Sequence, residues 1–211
     1  MGAVDLTKPR KKFVHIDWEN GKSYFFVGSI YFRYDNSTDH AEGGYPIAIT
    51  KYWPGLWADG IDAGFCVNSS YAYFFRGNQC IKYDKAGDRA CAGYPKNIQE
   101  DWPGLNWTSI DTAFKIASGE IYFFKGSQYI RYNLSKLYVD SGYPKPISNW
   151  FRQIWEDGVD CVATWERLPN KLYFYKGENY YRYDRTRDSA DDGYPIRTDE
   201  GWHGIPSLSS L

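Results

Sequence analysis

Tyr122-Phe123-Phe124-Lys125-Gly126-Ser127-Gln128-Tyr129-Ile130-Arg131-Tyr132 is one of four copies of a single pattern, and its reading decides the fold. The other copies are Tyr24-Phe25-Phe26-Val27-Gly28 leading to Arg33-Tyr34-Asp35, Tyr73-Phe74-Phe75-Arg76-Gly77 leading to Lys82-Tyr83-Asp84, and Tyr173-Phe174-Tyr175-Lys176-Gly177 leading to Arg182-Tyr183-Asp184. In each, an aromatic run stops at a glycine and an alternating aromatic and basic run soon resumes. That pattern predicts two antiparallel strands joined by a tight turn, with the glycine supplying the left-handed backbone. The turn glycines lie 49, 49 and 51 residues apart in a chain of 211. Units of about fifty residues therefore fill the chain, and one repeat domain follows.

Outward from the turn, the first unit reads as a strand over Phe13 to Trp18, a turn at Glu19-Asn20-Gly21-Lys22, a returning strand over Ser23 to Val27 and a third over Ile30 to Tyr34. A polar loop then reaches Gly44-Tyr45-Pro46 and a short fourth strand. Later units open at Ile61-Asp62-Ala63, Ile110-Asp111-Thr112 and Val159-Asp160-Cys161, and close at Gly93-Tyr94-Pro95, Gly142-Tyr143-Pro144 and Gly193-Tyr194-Pro195. The segments Tyr52-Trp53-Pro54-Gly55-Leu56, Asp101-Trp102-Pro103-Gly104-Leu105, Asn149-Trp150-Phe151 and Gly201-Trp202-His203-Gly204-Ile205 predict a helical turn carrying each unit to the next. Four antiparallel strands per unit, arranged radially, give an all-β, four-bladed β-propeller. A polar lead-in covers 1–12 and the propeller 13–211, with blades at about 13–57, 58–107, 108–156 and 157–206 and then a short tail. Proline beside each outer strand blunts the exposed edge.

The net charge of −1, with both signs interspersed, provides no field for nucleic acid or an anionic membrane. No apolar run reaches transmembrane length, so membrane insertion is not expected. Residues 1–12, with Lys8-Pro9-Arg10-Lys11-Lys12, show no hydrophobic segment. The chain is read as made without a secretory signal or with one removed, leaving cytoplasmic and stored or secreted locations open. Cys66, Cys80, Cys91 and Cys161 fall at non-equivalent repeat positions without metal-ligand spacing. Cys66 and Cys80 are too far apart to bridge; Cys80 with Cys91 is the feasible local pair, and four thiols are the plainer reading. Sequons stand at Asn36, Asn68, Asn106 and Asn133.

Together, Ile-Asp-Ala-x-Phe, Tyr-Phe-Phe-x-Gly-x-x-Tyr-x-Arg-Tyr, Gly-Tyr-Pro-x-x-Ile and Trp-Pro-Gly-Leu at fixed offsets resemble the hemopexin repeat over roughly residues 13–206. The resemblance implies the four-bladed propeller of hemopexin, of matrix metalloproteinase C-terminal domains and of legume seed albumins. It does not fix one function, because the fold hosts haem transport, protein docking and small-ligand binding.

Innermost strands have no neighbour on the channel side, so rings of unpaired carbonyls and amides face the axis. Such rings suit calcium or sodium and chloride respectively. The resemblance implies the same ions, held by the main-chain oxygens of Asp62, Asp111 and Asp160. In the first blade that position is Phe13, preceded by Lys11 and Lys12, which weaken the electrostatics for a cation. In the alternative reading, the Asp side chains brace strand starts while water fills the channel.

No catalytic motif is present, and no enzyme activity is expected. His15, His40 and His203 occupy three different repeat positions; His15 reads as a core or edge residue, His40 and His203 as solvated. Asp188, Asp191 and Asp192 read as a solvated face. Ligand binding is the favoured reading. Trp57, Trp107 and Trp155 precede the next blade, with Asp59, Asn106 and Asp157 as hydrogen-bonding partners, and could stack on sugar rings or pack the joints. The expectation is a carbohydrate-binding lectin with repeated inter-blade sites. Alternatives are a haem- or polyamine-binding albumin-like protein, the polyamine drawn to the acidic mouth at Asp59, Asp62, Asp157 and Asp160, and a protein-docking module. A homodimer is open in each case.

Overall fold

The computed structural model describes residues 11–211; Lys8, Pro9 and Arg10 of the lead-in lie outside the described residues. Four antiparallel sheets follow one another along the chain. From inside outward, blade 1 comprises Val14–Asp17, Lys22–Val27 and Ile30–Asp35, and blade 2 Ala63–Cys66, Tyr71–Arg76 and Gln79–Asp84. Blade 3 comprises Thr112–Lys115, Glu120–Lys125 and Gln128–Asn133, and blade 4 Cys161–Thr164, Lys171–Lys176 and Asn179–Asp184. The turn glycines Gly28, Gly77, Gly126 and Gly177 all adopt positive φ, between 52° and 58°.

The aromatic runs are continuous because both faces of each sheet are buried. Within Ile121-Tyr122-Phe123-Phe124, Ile121 and Phe123 pack into one core with Phe65 and Phe75 of blade 2. Tyr122 and Phe124 pack into another with Leu172 and Phe174 of blade 4. The cores therefore lie between blades, and the fourth, containing Phe25, Tyr34, Tyr175 and Trp202, joins blade 4 back to blade 1.

Two details differ from the expected element order. The outer edge is split: His40–Ala41 pairs with the end of the third strand and Ile47–Ala48 with its start, one on either side of Gly-Tyr-Pro, and the other blades repeat this. Each Tyr-Pro bond in that motif is cis. Secondly, the helical turns Ile49–Tyr52, Ile98–Asp101, Ile147–Asn149 and Thr198–Gly201 come before the linker aromatic. Trp53, Trp102, Phe151 and Trp202 follow as buried plugs, at most 4% exposed. The four cysteines are free thiols, and Cys80 and Cys91 are not bridged.

Inner strands of consecutive blades pack side by side, and those of blades 4 and 1 do the same, closing the ring. Closure repeats the contact made inside the chain. Ala90 N–H donates to Pro54 O at 3.0 Å between blades 1 and 2, and Ala41 N–H donates to His203 O at 2.8 Å between blades 4 and 1. Gly60, at φ +122°, lies so close to the blade 1 turn that an added Cβ would sit 2.7 Å from Gly28 O. Gly60→Ala is expected to cost about 2–3 kcal/mol, lowering Tm by roughly 4–12 °C. Gly28→Ala, with nothing within 4 Å of its Cβ, is expected to cost only the left-handed backbone, about 1 kcal/mol. Thermal melts of the two variants side by side check both.

Candidate ligand clefts and the central channel

The Asp side chains of the channel motif brace turns. Asp62 Oδ2 accepts from Gly77 N–H at 2.8 Å, Asp111 Oδ2 from Gly126 N–H at 2.7 Å and Asp160 Oδ2 from Gly177 N–H at 2.6 Å. Each bond ties the start of an inner strand to the tight turn of its own blade. Phe13, at the equivalent place in blade 1, is buried and packs edge-on to Phe25 with centroids 6.3 Å apart.

One of the carbonyls expected to serve a cation, that of Asp111, is engaged. Lys12 Nζ donates to Asp111 O at 2.7 Å. A calcium ion on that oxygen, at about 2.4 Å, would lie no more than about 5 Å from the ammonium. At an effective dielectric of about 20, that repulsion costs at least about 6 kcal/mol. Among the described residues, no three His, Cys, Asp or Glu side chains converge to offset it. The residues present therefore do not fit a divalent cation on the Asp111 oxygen while Lys12 holds it. Deeper in the channel, near His15, Gly64, Ala113 and Val162, about 20 Å³ is open, the space of a single water and far too little for a sugar or haem.

At the other mouth Asp17 is buried, its Oδ1 accepting from Glu19 N–H at 3.2 Å. Burial above all, then the charges of Glu166 and Glu19, push its carboxyl up to about 7. A carboxyl that holds its proton more tightly folded than unfolded contributes stability fully below about pH 4, and that contribution is lost as pH rises through 7. Asp17→Asn is therefore expected to gain stability relative to the parent between pH 5 and pH 8, on the order of 3 kcal/mol. Urea unfolding of both proteins at the two pH values checks this; equal differences would refute it.

The three sequence-selected tryptophans are joint residues. Trp57, Trp107 and Trp155 are half-buried against inter-blade cores. Trp155 meets the Tyr181 ring edge-on at 4.6 Å. Trp107 borders an open cleft, with Asn78, Asn97, Glu100 and Thr108. Asp59 is ion-paired to Arg76 and Asp157 to Lys176, while Asn106 is exposed. The acidic mouth is thus partly neutralised.

Histidine and aspartate placements also sharpen. His15 is enclosed in the core, stacked on Phe25 at 4.2 Å and edge-on to Trp202 at 4.8 Å, with Nδ1 2.9 Å from Tyr175 Oη. Burial lowers its pKa to about 3, so the ring is neutral. His40 and His203 are exposed, yet ring closure brings them together with centroids 6.4 Å apart. Asp191 is not on a solvated face: it is 8% exposed and clamped by Lys171 and Arg182. The Asn36 sequon side chain is likewise buried, donating to Glu166 Oε1 at 2.7 Å.

Two related clefts open at opposite joints of the ring. Between blades 1 and 2, Trp18, Tyr24, Tyr31, Tyr45, Tyr52 and Trp53 face Asp88 across about 390 Å³. Between blades 3 and 4, Ile116, Tyr122, Trp150 and Phe151 face Leu172, Tyr183, Arg185 and Asp188 across about 180 Å³. Tyr52 and Trp150 occupy the same repeat position, immediately before the buried linker aromatic, and are 51% and 52% exposed. Asp88 and Asp188 correspond too. Both take positive φ, and both accept from a core tyrosine, Asp88 from Tyr83 Oη at 2.9 Å and Asp188 from Tyr183 Oη.

The other joints are closed at that position by sequence. Asp101 replaces Tyr52 between blades 2 and 3, where it accepts from Tyr73 Oη at 3.0 Å, from Tyr94 Oη and from Lys96 at 3.1 Å. Opposite it, Leu137 replaces Asp88. Between blades 4 and 1 the position is Gly201, and Tyr180 Oη lies where its Cβ would be. The clefts therefore carry an approximate two-fold relation within the four-fold ring. In the sequence Tyr52 and Trp150 stand inside the linker segments with nothing local to single them out. The available signal was the alternation Tyr52, Asp101, Trp150, Gly201 at one repeat position.

The repeat pattern described as Hemopexin matches residues 16–58, 61–106, 110–156 and 159–207. The chain belongs to the hemopexin family. Among solved hemopexin-fold structures, a plant lectin with two metal binding sites from Cicer arietinum is similar at TM-score 0.78 and 27% identity, covering 96% of this chain and 98% of that one. Hemopexin fold protein CP4 from cow pea is similar at TM-score 0.76 and 27% identity over 94% and 96% of the two chains. A plant albumin from Cicer arietinum showing hemagglutination is similar at TM-score 0.77 and 26% identity over the same shares. Macrophage metalloelastase of Oryctolagus cuniculus is 44% identical over 50 residues, 24% of this chain and 11% of that protein. Interstitial collagenase B of Mus musculus is 47% identical over 38 residues, 18% and 8% of the respective lengths. The chain thus spans about a tenth of these two relatives.

Proposed function

We propose that this hemopexin-fold protein is a non-enzymatic, bivalent carbohydrate-binding protein using the clefts between blades 1 and 2 and between blades 3 and 4. The observation that carries the reading is the pair of half-exposed rings, Tyr52 and Trp150, at equivalent places beside an aspartate and an arginine. An exposed aromatic face stacks on the apolar face of a sugar ring, and neighbouring carboxylate and guanidinium groups bond its hydroxyls. Arg33, held by Glu42 at 2.7 Å, borders the first cleft and Arg185 the second. Two sites on one rigid ring allow cross-linking of a glycan-bearing surface, which raises weak single-site affinity by avidity. The hemagglutination named for the similar Cicer albumin is support of the same kind.

Haem binding, which asks for an axial His or Tyr, has less support, because no histidine borders either aromatic cleft, His15 is enclosed in the core, and tyrosines such as Tyr45 and Tyr52 are left as the axial candidates. Polyamine binding is weakened by the Arg76 and Lys176 pairs and by Lys12 at the same mouth. A glycan array probed with the purified protein, beside a haem titration of the same sample, tests the reading. Defined glycans bound without a Soret band support it; a Soret band with a blank array defeats it.

A further inference from the structure

We infer that the Lys12 ammonium is the resident cation of the central channel, so that the ring of inner-strand carbonyls takes no divalent metal while Lys12 is present. Four observations converge. Lys12 enters with blade 1, whereas its acceptor, Asp111 O, belongs to blade 3, 99 residues away and diagonally across the axis from blade 1. A bond between diagonal blades must span the channel, so the side chain reaches from the blade 1 side to the blade 3 carbonyl. The backbone beside it is fixed, because Phe13 is 1% exposed and locked into the core shared by blades 4 and 1.

The ring itself offers main-chain carbonyls, not carboxylate oxygens. Asp62 Oδ2, Asp111 Oδ2 and Asp160 Oδ2 are turned to glycine N–H groups of their own blades. Neutral carbonyls satisfy an ammonium by three donated hydrogens, whereas a divalent ion wants six to eight oxygens and gains from carboxylates. A tethered ammonium is also present at high effective concentration, with no dependence on supply from solution. The first blade lacks the Asp of the other three and carries Lys-Lys-Phe in its place. The departure in the repeat is thus coherent: the blade that changes the motif provides the charge the motif would otherwise recruit.

The test compares the full chain with Lys12→Ala, Lys12→Arg and the exposed neighbour Lys11→Ala, each dialysed against EDTA. Elemental analysis and thermal melts with and without millimolar calcium chloride are the readouts. The parent, Lys11→Ala and Lys12→Arg are expected to hold far less than one calcium per chain and to melt at the same temperature with and without calcium. Lys12→Ala is expected to melt lower in EDTA and to regain about 5–10 °C when calcium exceeds its dissociation constant about a hundredfold. Stoichiometric calcium in the parent, or a calcium-raised melt of the parent, would overturn the inference without any variant being needed. A Lys12→Ala chain that folds and gains no calcium response would overturn it too.

Discussion

Trp202→Ala is expected to lower the unfolding free energy by about 3–5 kcal/mol and Tm by roughly 6–20 °C. Trp202 is 1% exposed and lies within 5.2 Å, centroid to centroid, of His15, Phe25, Tyr34, Trp165 and Tyr173. Those partners come from both blade 1 and blade 4, so the indole fills the joint where the ring closes. Its Nε1 has no hydrogen-bond partner, so the cost is packing and cavity, not a lost polar contact. Calorimetry on parent and variant measures it, and a drop below about 1 kcal/mol would show that the joint collapses around the hole.

Trp150→Ala is expected to do the reverse: little to stability and much to binding. With half its surface in water, the side chain contributes about 1–2 kcal/mol to folding, well below the cost at Trp202. Its removal deletes the stacking face of one cleft and leaves the Tyr52 cleft intact. The protein then becomes monovalent, so agglutination of a glycan-bearing surface is expected to vanish while single-site binding persists. Avidity lost in this way amounts to about 10²–10⁴ in apparent affinity. Tyr52→Ala is expected to behave in the same manner from the opposite joint.

The contrast between these substitutions explains what was legible in the sequence. Tyr122-Phe123-Phe124-Lys125-Gly126 and its copies announce strand, turn and repeat because the glycine and the two-faced aromatic run obey local rules. Trp53, Trp102, Phe151 and Trp202 stand out as the same kind of residue at the same place. The clefts obey no local rule. Whether the residue before the linker aromatic is exposed depends on the neighbouring blade: Asp101 is drawn into a hydrogen-bonded cluster and Gly201 leaves room for Tyr180, whereas Tyr52 and Trp150 remain in water. Trp57, Trp107 and Trp155 stand out by residue type, yet their neighbours bury most of each. His40 and His203 are 163 residues apart in sequence and meet only because the ring closes.

Charge was legible only as composition. Lys12 reads in sequence as one of a basic cluster that disfavours a cation, and only the fold carries it across the axis to the opposite blade. Asp191 reads as one of three acidic loop residues, and only the third strand's Arg182 and the second strand's Lys171 reveal it as a clamped group.

The measurement that tests the central claim most directly is an agglutination and glycan-array series on the parent, Tyr52→Ala, Trp150→Ala and the double variant. Thermal melts should confirm that each is folded. The account predicts defined glycans bound by the parent, single variants that bind without agglutinating, and a folded double variant that does neither. A double variant with the parent's glycan profile, or a parent that binds no glycan, would contradict it.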